Sequence, residues 1–222
     1  MSSCCLVTRS PPHGGTRLLS DRGAALILAL LVTLLLTVVG SALIMAVATE
    51  HLITANDRDA EELVHAADAG LERAFLELSH VPVWTDVLTG RALSRVRDDT
   101  LLPRFPDGRI VSLVDLTHDV QTTSDRGPWG ANNPRWRLFV YGSLADVVGL
   151  TLEGPPLAYV VVWVADDHAD GDGNPLQDDN DTVTLRCEAY GVRHGRRAIE
   201  ATVARVDPYP APLSVLSWRL AE

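Results

Sequence analysis

Charged residues are absent from the chain between Gly23 and Thr49. An uncharged run of this length is not expected on the surface of a soluble domain, and it exceeds the ~20 apolar residues that a helix needs to cross a bilayer. Because the hydrocarbon interior offers the backbone no hydrogen-bond partners, the run must be helical. The sequence therefore predicts a transmembrane helix over residues 24–49, in which Thr33, Thr37 and Ser41 return their hydroxyl groups to the preceding turn.

Cysteine is scarce, since only Cys187 follows the apolar run, while Cys4 and Cys5 precede it. A domain outside the membrane with one cysteine cannot contain an internal disulfide. In the alternating segment 182–189, Cys187 shares a side with Val183 and Leu185, which predicts a small core residue. No arrangement of histidines singles out a base for its thiol, so a nucleophile is not expected.

Catalytic signatures are also missing. The chain has no Gly-x-Ser-x-Gly elbow, no glycine-rich phosphate loop and no Cys-x-x-Cys pair. These absences predict a protein that is not an enzyme. The formal net charge of −10 excludes nucleic acid as an expected partner, because an acidic surface repels phosphate.

The charges on the two sides of the apolar run are of opposite sign. They are Arg9, Arg17 and Arg22 before it, and Glu50, Asp57 and Asp59 after it. The positive-inside rule then predicts a single-pass membrane protein with its N-terminus in the cytoplasm and everything after Glu50 outside. The chain beyond the span is long enough for one domain with a core of its own.

The helical pattern continues beyond the membrane. Apolar residues recur at spacings of three and four, which is typical of one face of an amphipathic helix. They are Leu63, Val64, Ala67, Leu71, Ala74, Phe75 and Leu78. Pro82 would end such a helix. We therefore expect residues 50–80 to continue the transmembrane helix and to dock on a domain.

Residues 81–206 change character and predict an outer β-rich domain. Five short segments are rich in β-branched and aromatic residues, as strands are: 110–116, 136–141, 159–165, 181–192 and 197–206. The last two flank a short turn and alternate in polarity, which predicts an antiparallel hairpin with one buried and one wet face. The fold class expected is α+β, with the long N-terminal helix packed on a mainly antiparallel sheet. Residues 207–222 read as a tail, with an apolar piece at 213–220 that docks on the domain.

An acidic segment lies between two of these strands. Seven of the sixteen residues from 166 to 181 are aspartate. Asp170, Asp172 and Asn174 have the alternate spacing of the first ligands of an EF-hand loop, with Asp178 and Asp181 at its ninth and twelfth positions, and such oxygens suit Ca²⁺. Pro175 replaces the glycine of that loop, and no helix flanks it. A Ca²⁺ site and a solvated acidic loop both remain open.

Two motifs and the sequence around Gly23 carry a resemblance to a known family. Arg22-Gly23-Ala24-Ala25-Leu26, ahead of the apolar helix, resembles a type IV prepilin cleavage site. The segments 56–59 (Asn-Asp-Arg-Asp) and 66–71 (Ala-Ala-Asp-Ala-Gly-Leu) are similar to signatures of PilX-type minor pilins. Together they span residues 20 to 78. The fold that this resemblance implies is pilin-like.

The resemblance implies a maturation step. A prepilin peptidase would cut between Gly23 and Ala24, remove residues 1–23 as a cytoplasmic leader, and leave a methylated N-terminus. The protein would reside in the inner membrane with a periplasmic domain, and would be extracellular once assembled with other pilin subunits. Gly40, Ser41 and Ala42 would then allow neighbouring helices to approach closely.

One departure from the major pilins concerns Leu28, where they carry a glutamate that meets the N-terminal amine of a neighbour. A leucine cannot do this. The resemblance therefore implies a minor pilin of the type IV pilus, placed near the filament tip, where no subunit ahead has to be neutralised. The K-type minor pseudopilin of type II secretion also lacks this acid and is the alternative.

An alternative of another class is a secreted or anchored enzyme or binding domain with an ordinary signal sequence. Ala46-Val47-Ala48 would serve as its cleavage site, although the apolar core is long for a signal. The mature N-terminus separates the readings, being Ala24 for prepilin processing, Thr49 for a signal peptide and Met1 for an uncut anchor.

Overall fold

The computed structural model describes residues 18–151, 154, 156–206 and 213–221. Its helices are α1 Leu18–Ser79, α2 Thr85–Leu88, α3 Leu113–Ser124 and α4 Leu144–Val148, with a short 3-10 helix at Gly130–Asn132. Its strands are β1 Arg137–Ser143, β2 Ala158–Asp166, β3 Thr182–Gly191, β4 Arg196–Arg205 and β5 Leu213–Ala221. The chain divides into two compact units, one ending at Thr54 and the other beginning at Ala55. Residues 1–17 of the predicted leader lie outside the described residues.

The first unit contains the N-terminal part of α1. Its large apolar side chains are exposed to the surroundings, as expected of a helix that meets lipid or other helices. The Thr33 hydroxyl donates to Leu30 O at 3.0 Å and the Ser41 hydroxyl to Thr37 O at 2.8 Å. Thr37 donates in the same way to Thr33 O at 2.7 Å. These bonds confirm that the polar side chains of the run satisfy themselves within the helix.

The second unit contains a five-stranded sheet in the order β1-β2-β3-β4-β5. Every neighbouring pair is antiparallel, so each strand pairs only with the strands next to it in the sequence. This confirms the α+β fold class, a long apolar helix with an antiparallel sheet. The end of α1 at Ser79, shortly before Pro82, is also as predicted.

One side of the sheet forms the main core. The apolar residues of α1 that were predicted to face a domain, from Leu63 to Leu78, join side chains of the central strands there. Cys187 of β3 is fully buried in this cluster, between Val162 of β2 and Ile199 of β4 in the strand register. The prediction that Cys187 is a small core residue is confirmed.

The other side of the sheet is also covered at β3, so the expectation of one wet face was wrong for that strand. It holds in β4, where Ile199, Ala201 and Val203 are buried and the residues between them are partly exposed. All ten residues of β3 are buried. A second cluster unites residues of the sheet with residues of α3 and the segment before it: Phe105, Leu113, Val120, Tyr141, Tyr159, Val161, Trp163 and Tyr190. The indole nitrogen of Trp163 donates to the Thr117 hydroxyl at 2.8 Å, which ties β2 to α3. Alternation failed as a guide because large aromatic side chains fill this second face.

The segment 110–116, predicted as a strand, lies instead around the start of α3. Ser112 is the N-cap, and its hydroxyl accepts from Asp115 N at 3.1 Å. A serine followed three residues later by an acid is a helix start signal, which here outweighs the β propensity of Ile110 and Val111.

The predicted C-terminal tail contains a further strand, which the sequence reading missed. Residues 213–221 form β5 and pair with β4, for example Trp218 with Ala201. Most of β5 is exposed, because it lies at the edge of the sheet. Its sequence alternates in two short runs, 213–215 and 216–220, and the register with β4 shifts where the two runs meet. The change of phase breaks the continuous period that marks a half-buried strand. The proline-rich residues 207–212 lie outside the described residues.

Candidate functional site

The predicted processing junction is exposed. Gly23 lies within α1, and a Cβ atom placed on it would meet nothing within 4 Å. The side chain of Ala24 is exposed as well. A side chain at position 23 would therefore change the predicted junction without disturbing packing among the described residues.

The three small residues predicted for helix packing lie together in the middle of the apolar run. A Cβ atom on Gly40 would also meet nothing within 4 Å. Ser41 and Ala42 are exposed, and the Ser41 hydroxyl is already bound to Thr37 O. Small side chains at the surface of an apolar helix let a second helix approach closely. The surface of α1 around residues 40–42 is therefore small enough for a second helix to approach it closely.

The first motif, at residues 56–59, makes one contact with the sheet domain. Asp59 is half-buried, and its Oδ2 lies 3.2 Å from Nε of Arg193 in the β3–β4 turn. Arg58 instead pairs with Glu62 along the helix at 2.8 Å, with both side chains exposed. Exposed pairs of this kind add little stability. Asp59 is thus a residue of this motif that pairs with the sheet domain, while the buried residues farther along α1 form the docking surface.

The second motif, at residues 66–71, packs closely against the sheet. Ala66, Ala67 and Leu71 are buried in the main core. A Cβ atom on Gly70 would lie 2.5 Å from Cγ1 of Val160 in β2, closer than real side chains approach. The small residues of the motif therefore have a packing role, because they let the helix backbone approach the sheet.

The acidic loop between β2 and β3 is ordered by its own carboxylates. Asp170 is buried, and its two oxygens accept from the backbone nitrogens of Asp172 at 3.3 Å and Asp179 at 2.9 Å. Asp172 Oδ1 accepts from Asn174 N at 2.7 Å. Asp178 Oδ1 accepts from Thr182 N at 3.1 Å. These bonds fold the loop around its acidic side chains.

The five residues predicted as metal ligands are placed differently from one another. Asp170 and Asp172 bring carboxylate oxygens together with Asp166, all within 4.8 Å of one another. Asp178 and Asp181 are not in that group, and Asp181 instead lies 3.4 Å from Nη1 of Arg205. Asn174 is exposed, and its side-chain oxygen accepts from Leu176 N at 3.3 Å.

Asp166 is a residue of this cluster that the sequence reading did not single out. It is the last residue of β2 and only 1% exposed, and neither of its carboxylate oxygens has a hydrogen-bond partner in the part of the chain that the structure describes. Burial, followed by the charge of Asp170, raises the pKa of Asp166 to about 8. Burial likewise raises the pKa of Asp178 to about 6. The position of Asp166 at the start of the aspartate run was the available signal.

A second group of charged residues lies on the face of the sheet that α3 covers. Glu188, 2% exposed, accepts from Arg186 Nε at 2.9 Å and from Arg196 Nη2 at 2.8 Å, and also from the Tyr190 hydroxyl. Here each carboxylate oxygen has a donor, in contrast to Asp166. We interpret this group as a paired structural network.

Asp107 joins the loop before α3 to the β3–β4 turn. Its side chain is 1% exposed, and Oδ2 contacts Arg109 Nη2 at 2.6 Å and His194 Nδ1 at 2.8 Å. The hydrogen bond from Arg109 is the main reason why the pKa of Asp107 is held well below its usual value. Asp107 is therefore a charged contact that favours the folded state at neutral pH.

Comparison with known families gives one match. The family model described as PilX N-terminal matches residues 22–72, which include the processing junction, the apolar run and both motifs. No curated protein and no solved structure matches the chain.

Proposed function

We propose that the protein is a non-catalytic minor pilin subunit that takes part in type IV pilus assembly near the filament tip. The proposal is supported by the match of residues 22–72 to the family model described as PilX N-terminal. The observation that carries the proposal is the order of features in this region. The predicted junction at Gly23, an uncharged helix and a close-packing motif follow one another within the residues that the family model matches.

The apolar part of α1 supports insertion as a single-pass anchor. It is long and apolar enough to cross a membrane, and its hydroxyl groups are satisfied within the helix. With arginines before it and acids after it, the N-terminus would lie in the cytoplasm and the sheet domain in the periplasm. The protein would wait in the inner membrane in this orientation until assembly.

Maturation would begin at Gly23. A prepilin peptidase would cut after this residue, and the new N-terminus at Ala24 would be methylated. The freed helix would then leave the lipid for a bundle of pilin helices, where Gly40, Ser41 and Ala42 allow close approach. Leu28 offers no carboxylate to the N-terminus of a subunit ahead of it, which fits a position near the tip.

The experiment that tests the proposal is mass spectrometry of the mature N-terminus from cells with an active prepilin peptidase. We expect a methylated Ala24 in the wild-type protein and an intact leader in Gly23→Val. Ala29→Val is the matched control, because it adds a branched side chain to the same helix away from the junction and should be processed normally. A mature protein that starts at Thr49 or at Met1 would overturn the proposal.

A deletion strain separates the two machines. For a type IV pilus subunit, surface pili should decrease while type II secretion continues. Loss of secretion with normal pili would assign the protein to the secretion pseudopilus instead.

A further inference from the structure

We propose that the loop between β2 and β3 binds a Ca²⁺ ion through the carboxylates of Asp166, Asp170 and Asp172. This inference concerns the sheet domain and does not depend on the proposed function. Asp170 and Asp172 were among the ligands that the EF-hand spacing suggested. The third ligand is now Asp166, at the end of β2.

The geometry of the three carboxylates fits one ion. Oxygens that bind the same Ca²⁺ at about 2.3–2.6 Å lie at most about 5 Å apart. One oxygen from each of Asp166, Asp170 and Asp172 satisfies this limit, since all three lie within 4.8 Å of one another. Waters and loop carbonyls would supply the rest of the roughly six to eight oxygens that Ca²⁺ takes.

The second observation is the unpaired state of Asp166. A carboxylate that is 1% exposed needs hydrogen-bond donors or a cation, yet both of its oxygens lack a partner. Asp170 is also buried and acidic, so its charge repels a charge on Asp166. The other buried carboxylate of the sheet, Glu188, has three donors. A bound cation would give Asp166 a counter-charge that none of the described residues supplies.

The loop orients the other two ligands by backbone bonds. Asp172 N donates to Asp170, and Asn174 N donates to Asp172, so successive carboxylates are held by the residue two positions on. Gly173, at φ +70°, provides the positive backbone angle that this tight path requires. The ligand set is oxygen only, which suits a hard cation such as Ca²⁺ and disfavours Zn²⁺ or Cu²⁺.

Binding would fix the loop to its surroundings. Asp170 also accepts from Asp179 N at 2.9 Å, and Asp178 N donates to Thr85 Oγ1 of α2 at 3.1 Å. An ion held by Asp166 would therefore connect the end of β2 to both halves of the loop and, through them, to α2. We expect the ion to stabilise this edge of the domain.

The alternative is a protonated Asp166 in a loop that binds no metal. The two readings differ in their response to cations at constant pH. The stability of a domain with a protonated Asp166 does not depend on Ca²⁺. A bound ion, in contrast, stabilises the folded state in proportion to the logarithm of its concentration above Kd.

The experiment uses the full chain in detergent, freed of metal with a chelator, and follows binding by calorimetry and unfolding by tryptophan fluorescence. We expect one Ca²⁺ per chain and a midpoint raised by roughly 5–10 °C at a 100-fold excess over Kd. Mg²⁺ at equal ionic strength should give a smaller shift, because it demands tighter octahedral geometry.

Asp166→Asn and Asp172→Asn should each abolish the Ca²⁺-specific shift. Asp179→Asn is the matched control, since it removes the same charge from the same loop at an exposed residue whose carboxylate accepts from Gln177. Asp172 is itself exposed, so its variant should fold even if the one at Asp166 does not. An equal midpoint in Ca²⁺ and in chelator, an equal shift with Mg²⁺, or an equal loss of the shift in Asp179→Asn would each overturn the proposal.

Discussion

Gly70 of α1 lies directly over Cys187 of β3. A Cβ atom on Gly70 would come within 2.7 Å of the Cys187 sulfur, and Cys187 is fully buried between neighbouring strands. The burial raises the pKa of the Cys187 thiol, so it remains a neutral core group. The glycine of the second motif and the cysteine of the domain thus form a single packing contact.

We expect Gly70→Ala to destabilise the sheet domain by about 1–3 kcal/mol, the usual cost of overpacking a core. This loss outweighs the gain of about 1 kcal/mol that alanine brings to a helix. Tryptophan fluorescence during denaturant unfolding of the full chain in detergent measures the change, because Trp84 and Trp163 are buried. Gly40→Ala is the control, since it makes the same change in α1 at a position where a Cβ meets no described residue within 4 Å. A Gly70→Ala protein as stable as the wild type would contradict the close contact.

The sequence predicted the parts of this fold that repeat with a clear period. The stripe of α1 from Leu63 to Leu78 and the strands around Cys187 were predicted because regular spacing reports a buried face directly. The segment at 110–116 was wrongly predicted as a strand, because the N-cap at Ser112 outweighs the β propensity of the residues around it. The second covered face depends on which distant residues come to lie beside it, such as those of α3, and no local pattern contains this information.

The candidate sites differ in the same way. Gly23 and Gly40 are recognised from their positions at the start of and within the uncharged run. The sequence was therefore sufficient to propose them. Asp166 could not be chosen from spacing, because its role depends on burial at the end of β2 and on the absence of donors around it.

We expect Gly40→Val to impair assembly without impairing folding. The added side chain meets nothing within the chain but would hold a neighbouring helix away. Counting surface pili by electron microscopy, alongside the amount of processed protein in the membrane, measures the two effects separately. Val38→Phe is the control, because it adds bulk roughly 200° around the helix from Gly40. Normal piliation in Gly40→Val would count against a packing role for the small residues.

Asp107 should make the domain sensitive to acid. Its folded-state pKa is lowered, so its stabilising effect is present above the ordinary carboxyl pKa of about 4 and is lost as the pH falls below it. Asp107→Asn should cost about 1 kcal/mol or less at pH 7, because Arg109 and His194 are more than half exposed and solvent screens their charges. It should also flatten the loss of stability between about pH 4 and pH 2.

Denaturant unfolding across this pH range provides the measurement for Asp107. Asp99→Asn, at an exposed residue, is the control and should leave the pH profile unchanged. An identical profile for Asp107→Asn and the wild type would show that the contacts with Arg109 and His194 contribute nothing.

The neighbour-to-neighbour strand order affects how the domain forms. Every strand pairs with one that is close in sequence, whereas the contacts of Gly70 with Val160 and Cys187 close loops of about a hundred residues, which is slow. We therefore expect the sheet to assemble before α1 docks on it. Until then the stripe from Leu63 to Leu78 has no partner, so the newly made chain depends on the bilayer or on a chaperone to keep that surface from aggregating.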